Sequence, residues 1–75
     1  MTELTGIKFA AALAVFVGAA AGIAIGLIGK SAVDAIARQP EASAKIQTVA
    51  IITAALSEAT AIYGFVTALI ILLIK

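Results

Sequence analysis

Two long stretches without charge constrain this chain more than any other feature. Residues 9–29 form a run of 21 with no Asp, Glu, Lys or Arg, and residues 46–74 form a run of 29 interrupted only by Glu58. About 20 apolar residues carry a helix across the hydrocarbon core of a bilayer. Both runs therefore read as transmembrane helices, the second long enough to tilt or protrude. Five of the nine charged residues fall between Lys30 and Lys45, and Glu3, Lys8 and Lys75 lie toward the ends. The expected fold is an all-α membrane protein, a single antiparallel hairpin of two transmembrane helices over residues 1–75.

Composition narrows the function classes. Of the 75 residues 64% are hydrophobic and 12% charged, against about 25% charged in soluble domains. A soluble chain this short would struggle to bury enough surface to fold alone. There is no cysteine or histidine, which excludes a disulfide framework, a thiolate metal site and the usual general base. No metal, cofactor or catalytic role is expected. A net charge of +1 gives no footing for a nucleic-acid partner. A cleaved signal peptide fits the first run poorly, because that run is about twice a typical apolar h-region and no positive excess precedes it.

The connector has its own internal order. Lys30, Asp34 and Arg38 alternate in sign at spacing four, which places them on one helical face as attractive neighbours. Helix 1 is thus expected over about 4–38. Pro40 disfavours helical geometry at Gln39 and suits the first turn of a following helix, where Glu41 meets the positive end of the dipole. A turn at Arg38, Gln39 and Pro40, a polar loop over about 38–41 and helix 2 over about 42–74 follow. The turn is either an ordinary solvated one or a contact surface. Lys30, Arg38 and Lys45 outnumber Lys8 and Lys75 by one, so the positive-inside rule puts the loop on the cytoplasmic side.

Ala10, Ala14, Gly18, Gly22 and Gly26 recur at every fourth position, with Ala12, Ala20 and Ala24 thickening the stripe. In lipid, helix association depends on close backbone packing, which small residues permit. The row is longer than one hairpin partner needs. It serves either a tight two-helix hairpin or a surface that packs against copies of itself.

Glu58 is the most informative residue. It stands about 27 Å along helix 2 from Pro40 at 1.5 Å per residue, level with Gly22 in an antiparallel hairpin. Its helical neighbours Ala54, Ala55, Ala61 and Ile62 carry no charge. Holding an ionised acid at the bilayer centre costs about 3 kcal/mol on insertion scales, and binding a proton avoids that cost. Neither run contains Lys or Arg, so a counter-charge for ionised Glu58 must come from another chain or a bound cation. Ser57, Thr60 and Tyr63 offer supporting hydroxyls, of which Tyr63 most needs a partner at membrane depth.

These residues resemble the c subunit, or proteolipid, of F-type ATP synthases along essentially the whole chain. The resemblance rests on the glycine and alanine stripe over residues 18–26, on Ala-Arg-Gln-Pro-Glu at 37–41 and on Leu-Ser-Glu-Ala-Thr-Ala-Ile-Tyr at 56–63. It implies a closed oligomeric ring of identical subunits, with first helices inside and second helices outside. It implies that Glu58 carries protons, ionised briefly opposite an arginine of the stator a subunit, and that the chain is a non-catalytic rotor component. Arg38, Gln39 and Pro40 would contact the gamma and epsilon subunits of the central stalk. Sodium-using members place a glutamine 33 residues before the acid and a serine just after it, where this chain has Ile25 and Ala59. Too few oxygen ligands remain for sodium, so protons are the expected cargo. Gln39, where many mitochondrial members have asparagine, points to a bacterial inner membrane, with a thylakoid membrane as the alternative. The competing reading from a different class is a holin-like or scaffolding hairpin in which Glu58 only binds helices together.

Overall fold

The computed structural model describes residues 2–74; Lys75, counted in the charge tally above, lies outside them. The chain is a long antiparallel hairpin, 59 × 15 × 8 Å along its principal axes. Its first rod comprises α1 (Thr2–Val15) and α2 (Val17–Arg38), and its second comprises a 3₁₀ turn (Pro40–Ala42) leading into α3 (Ser43–Ile74). Both rods, Thr2–Arg38 and Pro40–Ile74, are long and apolar enough to cross a membrane. At 1.5 Å per residue each exceeds the roughly 30 Å hydrocarbon core, so the charged loop end projects beyond it.

The reversal is tighter than the expected four-residue loop. Within the reversal Gln39 alone lies outside a helical element, with φ −136° and ψ 74°, because the Pro40 ring disfavours the helical region for the residue before it. The Gln39 amide still donates to the Ala35 carbonyl at 2.9 Å, and the Ala42 amide donates to the Gln39 carbonyl at 3.0 Å. These bonds satisfy part of the backbone at the reversal in place. Lys30 donates to Asp34 at 3.3 Å on the exposed face of α2. The first rod is already helical at Thr2, the first described residue, two residues earlier than the sequence suggests, since nothing in Thr2 or Glu3 opposes helix.

The seam between the rods is narrow and built of small residues. On the first rod the less exposed positions include Ala11, Ala14, Gly18, Ala21, Ile25 and Ile28, spaced alternately by three and four. On α3 they include Ala54, Ser57, Ala61, Gly64, Ala68 and Ile71, in the same alternation. That average period of 3.5 is the signature of a coiled-coil seam. Ala11, Ala21 and Ala68 are the buried residues among those described. The every-fourth stripe advances about 40° around the helix per step, so it cannot stay on such a seam. Ala14 and Gly18 fall on it, while Ala10, Gly22 and Gly26 are exposed.

Candidate functional site

Glu58 lies on α3 about midway along the hairpin, and its side chain is on the outer surface. The rotation of α3 explains why. With Ser57, Ala61 and Gly64 turned toward the first rod, a helix of 3.6 residues per turn swings Glu58 about 90° off the seam. In a bilayer that surface meets lipid or another chain. The acid's own-face neighbours are Ala54, Ala55, Ala61 and Ile62, and Phe65 stands one turn further on.

The hydroxyls near Glu58 in sequence project elsewhere. On an ideal helix Ser57 points about 100° away from it, Tyr63 about 140° and Thr60 about 160°. Tyr63 is 72% exposed. The side-chain hydrogen bonds described on α3 lie at other positions. Thr48, Thr53 and Thr67 each donate to the carbonyl four residues earlier, at 2.9, 2.7 and 2.8 Å, and Gln47 donates to Ser43 at 3.5 Å. Back-bonding of this kind satisfies a hydroxyl that has no water to turn to. None of those bonds uses the side chain of Glu58, Ser57, Thr60 or Tyr63; Tyr63 takes part only through its backbone carbonyl, which accepts from Thr67.

Across the hairpin, a Cβ placed on Gly18 would stand 3.9 Å from the Ala61 Cβ. One turn nearer the loop, that register brings Gly22 level with Ser57 and Glu58. Gly22 nevertheless faces open space, as does Gly26, and an added Cβ on either would meet nothing within 4 Å. Depth is therefore shared between Glu58 and Gly22, but no packing is. The stripe residues Ala12 and Ala20 are exposed too, and Ala24 is half-buried.

One residue outside the expected set stands out. A Cβ on Gly64 would collide with the Val17 Cγ1 and with the Ala14 carbonyl oxygen. It is also the one glycine of the second rod. An isolated glycine inside a long apolar helix marks a close backbone approach or nothing at all, and sequence alone does not say which.

At the loop end Arg38, Gln39 and Pro40 are all exposed at the tip of the hairpin, with Arg38 as the last residue of α2. The arrangement as a whole is a lone carboxyl at mid-length, on the outer surface of a hairpin whose other charges lie toward its two ends, most of them around the loop.

Comparison with known proteins decides what kind of hairpin this is. The family described as the ATP synthase C subunit matches over residues 9–71. The chain belongs to the ATP synthase C subunit family. The ATP synthase c subunit of Ruminiclostridium cellulolyticum is 54% identical over 69 residues, covering 92% of this chain and 91% of that protein. The ATP synthase c subunit of Clostridium beijerinckii is 49% identical over 63 residues, covering 84% and 89%. That of Clostridium perfringens strain SM101 is 55% identical over 65 residues, covering 87% and 90%. A member of this family is an integral membrane component of the Fo sector of an F-type ATP synthase, a complex of many subunits, and is a rotor part that serves ion transport and ATP synthesis.

Proposed function

We propose that this chain is the proton-carrying subunit of its rotor, and that Glu58 is the carrier. The observation that supports this most is the position of that carboxyl, the only charge within residues 46–74, exposed at mid-length on the outer surface of the hairpin. A carboxyl facing lipid is stable there when protonated and costly when ionised. It therefore gives up its proton only where a counter-charge and water are supplied, opposite an arginine of the stator a subunit. Rotation past that arginine reloads one subunit as it empties the next. One charge crossing 100 mV releases about 2.3 kcal/mol, so many subunits must act in sequence for each turn of the rotor.

Protons are the cargo rather than sodium. Sodium-using members of this family supply oxygen ligands where this chain has Ile25 and Ala59, and two aliphatic side chains cannot replace the water of a hard cation. The chain holds no cofactor and carries no catalytic group of its own. Identical copies form a closed ring, with exposed Gly22 and Gly26 available for packing between first helices. Arg38, Gln39 and Pro40 at the hairpin tip meet the gamma and epsilon subunits of the central stalk. The loop lies on the cytoplasmic side, and the relatives from clostridia support a bacterial inner membrane.

The test is Glu58→Gln in the assembled complex. A ring of normal mass that no longer supports proton-driven ATP synthesis is the expected outcome; retained synthesis would sink the assignment. A carbodiimide, which attacks protonated carboxyls, should label Glu58 at a rate that added sodium leaves unchanged. Protection by sodium at neutral pH would transfer the site to sodium.

A further inference from the structure

The first rod is not one uninterrupted helix. At Phe16 the amide is shared between the Ala12 carbonyl at 3.1 Å and the Leu13 carbonyl at 3.2 Å. The Ala19 amide donates to the Phe16 carbonyl at 2.9 Å, a three-residue bond in place of a four-residue one. This local tightening separates α1 from α2. It falls between Ala14 and Val17, the two residues that a Cβ on Gly64 would strike. The irregular turn and the bare backbone of Gly64 are thus two sides of one contact. The Cα hydrogen in the place of a side chain points at the Ala14 carbonyl, an approach only glycine permits.

We propose that Gly64 is a positioning residue for Glu58, an inference that rests on the proton-carrier reading above. The hairpin is tethered covalently only at Gln39, and Glu58 stands about 27 Å along the second rod from Pro40. Gly64 lies six residues further, about 9 Å beyond the acid. The carboxyl is thereby held between a tether on one side and a close backbone contact on the other. Six residues also rotate the helix by about 120° net, so seating Gly64 against Ala14 and Val17 aims Glu58 away from the first rod. Ser57, Ala61 and Ala68 share the seam, but their side chains tolerate small sliding and rotation. Gly64 does not, because any added atom meets backbone. A side chain there lifts or turns α3 and redirects the acid against its partner on the stator, and about 1 Å of misplacement is enough to cost much of the rate.

The experiment uses Gly64→Ala, Val17→Ala and the double variant in the assembled complex. Three quantities are read: ring mass, the pH dependence of carbodiimide labelling of Glu58, and ATP-driven proton pumping. Gly64→Ala is expected to lower pumping about tenfold or more and to displace the labelling profile measurably from wild type. Removing the Val17 methyls in the same chain should move both only part of the way back, because the Ala14 carbonyl stays in place, while Val17→Ala alone stays near wild type. Wild-type pumping and labelling in Gly64→Ala overturns the proposal, as does a defect that Val17→Ala leaves untouched. Should Gly64→Ala rings fail to assemble, the double variant decides: a displaced labelling profile supports positioning, and a wild-type profile overturns it. Failure to assemble in both backgrounds assigns Gly64 to folding alone and likewise overturns it. Labelling reports on the carboxyl directly, so it separates a failure of this inference from a failure of the carrier assignment, which Glu58→Gln tests.

Discussion

Small residues matter here by where they point more than by how often they occur. Ala21 is buried against the second rod, whereas Gly22, its neighbour in sequence, faces open space. Ala21→Leu is therefore expected to force the rods apart at a cost of about 1–3 kcal/mol, visible as a lower melting temperature of the hairpin in a detergent harsh enough to separate copies. Gly22→Ala should leave that same measurement unchanged or slightly raised, because alanine favours helix by up to about 1 kcal/mol over glycine. Any harm from Gly22→Ala would then appear only when copies assemble. Equal destabilisation by both in the isolated hairpin would contradict a seam that runs through Ala21 and misses Gly22. Glu58 was legible from sequence as a lone acid midway along the second rod, since charge and spacing are both one-dimensional facts. The directions of Ser57, Thr60 and Tyr63 relative to it depend on the rotation of α3, which is not.

The elements themselves were largely written in the chain. Long uncharged runs specify helices in lipid because no other structure satisfies the backbone there. Pro40 specifies where they must stop. The three-charge face of Lys30, Asp34 and Arg38 extends the first rod to Arg38, and of its pairs Lys30 with Asp34 forms at 3.3 Å. Both partners are more than half exposed, at 75% and 51%, so water screens the attraction. Lys30→Ala should change thermal stability by less than about 0.5 kcal/mol, measured by melting the hairpin with and without added salt. A larger loss would mean that Lys30 has a second partner. The irregular turn at Phe16 has no sequence marker, neither proline nor glycine, and it lies where Gly64 of the second rod comes close to Ala14 and Val17.

Taken whole, the molecule leaves most of its apolar surface uncovered. Three alanines are its buried residues among those described, while Phe9, Phe16, Leu56 and Leu73 are 65%, 69%, 68% and 78% exposed. Lipid tails can cover such side chains, but open small-residue faces at Gly22 and Gly26 call for a closely packed neighbour. Native mass measurement in mild detergent should accordingly find a single closed species at a whole-number multiple of 7.5 kDa, with no appreciable monomer. A stable monomer would leave those faces unexplained. Two long apolar helices, the reversal at Pro40 and a carboxyl midway along the second rod were legible in sequence alone, because they follow from how many uncharged residues lie between charges and from where the one proline falls. Which alanines and glycines meet across the hairpin, that Glu58 turns outward, and that Gly64 sits against Ala14 and Val17 were decided only by tertiary structure. The physical reason is rotation: a seam of period 3.5 and a stripe of period four run apart, and only the packed pair of rods shows which one the backbone follows.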